Sequence, residues 1–243
     1  MRTVICVPWR GGDPHRERAW AWCRARWASY VDWPIVTADA DPEQPFSRAG
    51  SKNAAARLAG DWDVAVFADA DCILRYPPPL LRAVEVAAER GFAVLPHTSY
   101  HPLTESGTEA VYLARRLGWD MHAREKCWCL TCRPPTEGER RRPDSAIGGL
   151  IVIPRGLWDA VDGYDERFRG WGSEDGAMNQ ALRTLGSVER IEATLYQLWH
   201  QPSVGWYAEY QRNKPLRRRY AAAGDDPEAM RALVAERRQE VAA

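Results

Sequence analysis

The sequence predicts an α/β fold with a mostly parallel central sheet flanked by helices, and three observations lead there. Short apolar runs alternate with amphipathic or Ala-rich segments of about 10–15 residues, the rhythm of βαβ units. Pro8, Gly60, the run Pro77–Pro79 and Gly91 punctuate these segments at the places where strands and helices must stop. A chain of 243 residues, 45% hydrophobic and 27% charged, can bury a full core around such a sheet without staples.

Taken in order, Thr3–Val7 is a buried strand stopped by Pro8. Trp20, Cys23, Trp27 and Tyr30 recur at helical spacing and mark the core-facing stripe of a helix that starts near Arg16. Ile35–Thr37 is a second strand, followed by the acidic loop Asp39–Glu43. Ser47–Ala59 reads as a helix ended by Gly60, and Val64–Ala68 as a strand running directly into Asp69. A helix from about Leu80 to Glu89 and a strand at Phe92–Leu95 follow the triple proline. From His97 to Ser145 there is little periodicity beyond a helix near Glu109–Leu117, which suits a variable insertion over the site. Regularity returns with a strand at Ala146–Ile153, a short helix at Leu157–Val161 and a polar loop at Asp165–Gly172. A helix at Ser173–Leu185 and a last strand at Thr194–His200 complete that part. Helices at Tyr207–Tyr220 and Pro227–Val241 close the chain, the latter with Asp226 as N-cap and Pro227 at its first position.

Composition narrows the classes of function. No apolar run approaches the ~20 residues that span a bilayer, and MRTVICVPWR is too short for a signal-peptide core, so a cytoplasmic protein is expected. Thirty-three basic residues balance 33 acidic ones, so the overall charge demands no polyanionic partner. Basic runs at Arg140–Arg142 and Arg212–Arg219 are either solvated surface or a rim facing phosphate or acceptor. Six cysteines without a secretory signal do not suggest a disulfide framework. His122, Cys127, Cys129 and Cys132 could offer zinc four soft ligands and staple the insertion, although their irregular spacing also fits a chance group of thiols.

Chemistry-bearing residues gather at strand ends. Ligands of open parallel sheets bind beyond the carboxyl ends of the strands, which places Pro8, Trp9, Arg10, Asp39 and Asp69–Asp71 on one rim. Asp69 and Asp71 are two apart and share a face, with only Ala70 between them. An isolated Asp-X-Asp is often a surface turn; after a buried strand it is a site for magnesium or manganese bridging to a diphosphate. His200, at the end of the late strand, is either a structural hydrogen-bonder or a further metal ligand. In Arg169-Gly-Trp-Gly-Ser-Glu-Asp175, two glycines bend the chain so that Trp171 can stack on a sugar ring. Ser173 is expected to cap the next helix, leaving Glu174 and Asp175 in its first turn. Acids there complement the helix dipole, or one of them takes the proton of an attacking hydroxyl. A nearby anion also favours the oxocarbenium-like state of sugar transfer.

Five blocks in order resemble the GT-A-fold glycosyltransferases, especially the β-1,4-galactosyltransferase family and chondroitin-synthase-like enzymes. They are VPWR at Val7–Arg10, PFSRAGSKNAA at Pro45–Ala55, VFADAD at Val66–Asp71, the block from Gly148 to Asp175, and His200. The resemblance implies a GT-A-type Rossmann-like nucleotide-sugar fold over one domain, residues 1–243. Its nucleotide-binding half would be 1–96, the insertion 97–145, the acceptor and catalytic half 146–205, and the C-terminal helices 206–243. It further implies Asp71 and His200 as ligands of Mn2+ or Mg2+, with Asp69 near the ribose or the metal. Pro8, Trp9, Arg10, Phe46 and Arg48 would meet the donor nucleotide, Trp171, Gly172 and Glu174 the sugars, and Asp175 would be the catalytic base. Asp39 and Asp41 could hold the uracil or ribose, as in many GT-A enzymes. Two positions depart from the family pattern. Gln197 stands where a methionine is common, which favours harder cations or removes a ligand, and Gly176 replaces a further acid.

The implied activity is metal-dependent, inverting transfer of a sugar from a nucleotide-diphosphate donor, by resemblance a UDP-sugar, to an acceptor hydroxyl. The acceptor stays open among a glycan, a protein and a small molecule. Trp206, Tyr207, Tyr210 and Tyr220 near the basic stretches leave room for a hydroxymethylated DNA base. From another class, a non-catalytic sugar- or nucleic-acid-binding protein with a transferase fold remains as the alternative.

Overall fold

A computed structural model describes residues 1–115, 147–201 and 205–242. The first half runs β1 (Thr3–Pro8), α1 (Pro14–Tyr30), β2 (Ile35–Ala38), α2 (Arg48–Leu58), β3 (Val64–Ala68), β4 (Cys72–Leu74), α3 (Pro78–Arg90) and β5 (Ala93–Leu95). β6 (Ser99–Pro102) and α4 (Glu105–Ala114) follow. Then come β7 (Leu150–Pro154), α5 (Arg155–Val161), α6 (Glu174–Leu185), β8 (Val188–Arg190) and β9 (Thr194–Gln197), with α7 (Trp206–Ala222) and α8 (Pro227–Ala242) last. No helix of the described residues is long and apolar enough to cross a membrane.

The main sheet has six strands in the order β2-β1-β3-β7-β5-β8. β7 alone runs against the others, so the sheet is mostly parallel, as expected. Every residue of β1, β3 and β7 is buried, which explains their continuous apolar sequences: both faces are covered. Side chains alternate between two cores. Val4, Cys6, Ala65, Phe67, Ile151 and Ile153 face one, packed against α2, α5, α6 and the C-terminal helices. Ile5, Val7, Val64, Val66, Leu150 and Val152 face the other, which holds Trp20, Cys23 and Trp27 of α1 and Leu80 and Val84 of α3. The tryptophan stripe of α1 is thus core, as its spacing predicts.

The strands leave their C-terminal ends on a common rim. Because β7 is antiparallel to β3, with Leu150 opposite Ala68, its preceding residues Gly148 and Gly149 arrive at that same rim. Beyond it stands a second sheet in the order β4-β9-β6. Its strands β4 and β6, like β8 in the main sheet, were not visible as strands in the sequence; each has only three or four residues and no alternation. Residues 99–102 therefore belong to a sheet rather than to an aperiodic insertion, and the helix expected near Glu109–Leu117 runs over Glu105–Ala114. The basic run Arg140–Arg142 and the thiol group His122, Cys127, Cys129 and Cys132 lie outside the described residues.

Local boundaries follow capping chemistry. α1 begins two residues before the expected Arg16 because Asp13 accepts a hydrogen bond from the Arg16 N–H and Pro14 occupies the first turn. Ser47 caps α2 through the Gly50 N–H, and Gly91 ends α3 in the left-handed region. Ser173 does not cap α6 as the sequence suggested. It sits at φ 80° and its side chain makes no capping bond, because the loop before it turns too sharply. The loop after α5 is pinned to α2 by Asn53, whose amide donates to Tyr164 O at 2.9 Å and accepts from Tyr164 N at 2.9 Å. Replacing Asn53 with Ala strands both backbone groups. Chemical denaturation should show about 1–3 kcal/mol lost; an unchanged midpoint would mean the loop does not depend on this clamp.

Candidate active site

α2 starts at the rim with Arg48 and presents Lys52 one turn later on the same face. Three carboxylates converge on this pair. Arg48 bonds Asp69, and its guanidinium reaches Glu174 Oε1 at 3.3 Å and Asp175 Oδ2 at 3.4 Å. Lys52 Nζ lies 2.9 Å from Asp175 Oδ1 and 3.3 Å from Asp69 Oδ1, over the Tyr164 ring. Lys52 is 2% exposed and Glu174 3% exposed, so neither charge is supported by water. Burial works against the charged forms of Arg48 and Lys52, yet the surrounding carboxylates raise the pKa of both well above their ordinary values. Burial likewise pushes Asp69 up, and Arg48 and Lys52 outweigh it, holding that carboxyl below the usual range. For Glu174 burial prevails over Arg48 and its pKa is raised.

Asp71 faces a different set. Gln197 Nε2 donates to Asp71 Oδ2 at 2.8 Å, and His200 Nε2 stands 3.1 Å from the same oxygen. His200 Nδ1 is tied to Gln201 O at 2.9 Å; with a proton there, the Nε2 lone pair faces the carboxylate. Two electron-rich atoms that close require a positive species between them, either a proton or a metal ion. Burial lowers the His200 pKa, but the Asp71 hydrogen bond and charge raise it above its ordinary value, which is the proton's version of that demand. Oxygen and imidazole donors suit manganese or magnesium, so the residues fit the ion the sequence implied. Cys72 also lies near both aspartates, but its fully buried thiol stays neutral, pushed well up by burial, and contacts Asp71 and Tyr100 instead.

A cavity of about 580 Å³ opens at the strand ends. Its wall includes Pro8, Trp9, Arg10, Phe46, Arg48, Asp69, Asp71, Trp171 and His200, which bring most of the expected set together. Asp39 stands behind the wall, held by Arg10, whose guanidinium also reaches Asp41 O at 2.7 Å and Gln44 O at 2.8 Å and lies 5.5 Å from the Phe46 ring centroid. Gly172 and Asp175 lie behind it too, Asp175 being 17% exposed at the side chain. Glu174, expected at the sugars, is instead buried against Arg48 and reaches the cavity only through it.

The two glycine motifs are explained by crowding. A Cβ at Gly148 would fall 2.7 Å from Asp175 Oδ2; one at Gly149, already at φ 86°, would fall 2.8 Å from Leu195. Gly176 admits Arg217, whose Nε would lie 2.8 Å from a Cβ there, so the acid missing at this position is replaced by a cation from α7. The Trp171 loop is held from α7. Asn213 donates to Arg169 O at 2.9 Å and Gly172 O at 2.8 Å, and Glu209 accepts from the Trp171 N–H at 2.8 Å. The sequence reading missed Lys52, Asn213 and Glu209. Lys52 alone left a trace, a lysine one turn from Arg48 in an otherwise Ala-rich helix.

A family model described as the N-terminal domain of galactosyltransferase matches residues 132–201, which contain the Gly148–Asp175 block and His200. Among solved structures, a mutant of Drosophila β-1,4-galactosyltransferase 7 with manganese, UDP-Gal and xylobiose is similar at a TM-score of 0.54 and 13% identity. That match covers 89% of this chain and 79% of that one. The chain has the fold of the GT-A glycosyltransferases. The catalytic domain of the same Drosophila enzyme with xylobiose gives a TM-score of 0.52 at 13% identity, over 82% of this chain and 71% of that chain. Glucosyl-3-phosphoglycerate synthase from Mycobacterium tuberculosis, with Mn2+, UDP and phosphoglyceric acid, gives 0.45 at 13% identity, over 91% and 76%. No curated protein matches the sequence of this chain.

Lys52 compensates two carboxylates at once. Lys52→Met should cost about 3–5 kcal/mol, the cost of stranding buried charge. The sign with pH follows from Asp69: its depressed pKa gives stability that is intact above the unfolded value near ~3.9 and is lost as pH falls through the folded one. Urea titrations from neutral to acid pH should therefore converge for wild type and Lys52→Met; a gap that stays constant to low pH would contradict the coupling.

Proposed function

We propose that the protein transfers a sugar from a UDP-sugar to an acceptor hydroxyl with inversion, using a divalent cation and Asp175 as general base. The observation that carries this reading is the junction of two half-sites in one place. Asp71 and His200 stand together on the cavity wall, and Asp175 stands behind Arg48 and Lys52, which also touch Asp69. The matched galactosyltransferase model supports the chemistry, and the complexes of the Drosophila enzyme with manganese, UDP-Gal and xylobiose support donor and metal.

Asp71 and His200 would hold Mn2+ or Mg2+, with Asp69 at its edge. Gln197 already touches Asp71, and a turn of its terminal amide would bring the amide oxygen toward the ion. When bound, the ion supplies positive charge to the diphosphate as it leaves. Arg10 and Phe46 form one wall of the nucleotide end and hold the Asp39 loop against it. Trp171 offers its ring to the sugars at the opposite side of the cavity. Asp175 accepts the acceptor's proton at Oδ2, the oxygen facing Gly148, while Lys52 fixes Oδ1. Glu174 acts one step back by fixing Arg48.

The test is donor hydrolysis and transfer across a nucleotide-sugar panel with manganese, magnesium or chelator. Chelator and Asp71→Ala should abolish activity, and Asp175→Asn should lower kcat by about 10²–10⁴-fold while donor binding by calorimetry is retained. Full activity in chelator or in Asp71→Ala would refute the mechanism.

A further inference from the structure

α7 carries a basic run that the strand-end site leaves unused. By the helical period Tyr207, Tyr210, Lys214, Arg217 and Arg218 share one face of this helix, and no acid stands among them. The acids nearby are engaged elsewhere. Glu209 accepts from the Trp171 N–H, Glu236 pairs with Arg219 and Arg167, and Asp226, beside Asp225 in the turn beyond α7, caps α8. Lys214, Arg217 and Arg218 have no ion pair among the described residues, nor has exposed Arg169 beside Trp171. Arg217 is the sharpest case. It packs against Gly176 with Nη1 buried and no hydrogen-bond partner there, and burial alone lowers its pKa. Arg48, Lys52 and Arg167 are buried or half-buried too, and each has a carboxylate. A guanidinium left as Arg217 is costs free energy until an anion arrives from outside.

Aromatic rings connect these cations to the cavity. Lys214 Nζ lies 4.8 Å from the Tyr210 ring centroid, which is 6.0 Å from that of Trp171, and Trp171 lines the cavity with Arg10, Arg16 and Arg48. Tyr207, one turn before Tyr210 on the same face, is 59% exposed. Cations interleaved with accessible rings hold single strands, the phosphates on the cations and the bases on the rings. We infer that this face of α7 holds a single-stranded nucleic acid and that a hydroxyl of that strand is the sugar acceptor. The second half rests on the transferase reading of the cavity. The strand's oxygen would bond to the anomeric carbon as that carbon's bond to UDP breaks; UDP keeps the electron pair and Asp175 takes the hydroxyl proton. Arginine forks bind phosphate oxygens in pairs and stack on flat aromatic faces. A base offers such a face and a sugar ring does not, which favours a strand over an anionic polysaccharide. The zero net charge of the chain does not oppose this, because the unpaired cations are gathered on one side of one helix.

The experiment is fluorescence anisotropy of the full-length protein with short oligo(dT) and oligo(U), across a salt series. With phosphates on Arg169, Lys214, Arg217 and Arg218, log K should fall against log salt with a slope of about −3. Lys214→Ala and Arg218→Ala should each weaken binding and reduce the slope by about 0.7, whereas Tyr207→Ala should weaken binding and leave the slope unchanged. Arg24→Ala, an exposed position of α1 on the other side of the sheet, should change neither. Label from the UDP-sugar panel should enter oligoribonucleotides or oligodeoxynucleotides with hydroxymethylated bases, and the two cation variants should raise KM for the strand. The inference is overturned if no strand binds, or if Lys214→Ala and Arg218→Ala keep the wild-type slope. It is equally overturned if duplex or hyaluronan binds more tightly than the single strands, or if label enters a glycan and no strand. Strand binding without donor turnover on any acceptor would sink the transferase reading, and the acceptor half with it, and leave the α7 surface standing.

Discussion

Three carboxylates, Asp69, Glu174 and Asp175, come from two distant parts of the chain and meet in a largely buried cluster at the cavity wall. Like charges that close would push the strands and α6 apart. Arg48 and Lys52 make the meeting possible, because one helical turn of α2 puts a guanidinium and an ammonium between them. Much of the surrounding architecture serves that contact. Ser47 fixes the start of α2, Asn53 fastens its next turn to the loop after α5, and Gly148 leaves room for Asp175 to approach. The charged cluster is a weak source of net stability, since desolvating five ions offsets most of their attraction. What it provides is a single arrangement of acids that would otherwise repel.

The sheet explains why Asp69, Asp71 and His200 line one cavity with Asp175 just behind its wall. β1 and β3 run toward the rim and end in Pro8 and Asp69; β7 runs away from it, so the Gly148–Gly149 turn begins there. The second sheet then carries β9 past β4, which brings Gln197 against Asp71 and leaves His200 just beyond the strand end. The C-terminal helices finish the opposite wall. α7 reaches back with Glu209, Asn213 and Arg217 to a loop that its own glycines leave thin and bent.

Those parts of the fold with continuous apolar runs or strong punctuation were legible in the sequence. β1, β3 and α3 stand within a residue or two of their expected positions, because burial on both faces and the Pro and Gly boundaries leave few alternatives. Asp69, Asp71, Trp171 and His200 were legible as chemistry because strand ends and glycine-bracketed aromatics are local patterns. β4, β6 and β8 were not, since a three- or four-residue strand acquires its identity from the partner it pairs with. Ser173 was read as a cap from its residue type, whereas the backbone holds it at φ 80° and its side chain makes no capping bond. Lys52, Glu209 and Asn213 were hidden for the same reason: their partners lie far away in sequence, and nothing local distinguishes a buried compensating lysine from a solvated one.

Sharing Lys52 has a thermodynamic consequence for the two sides of the cavity. Its ammonium is 3.3 Å from Asp69 and 2.9 Å from Asp175, so whatever neutralises one carboxylate leaves the cation more fully to the other. Such linkage is reciprocal by necessity. A change of charge at either carboxylate is therefore felt at the other, through Lys52 and through Arg48, which also touches both.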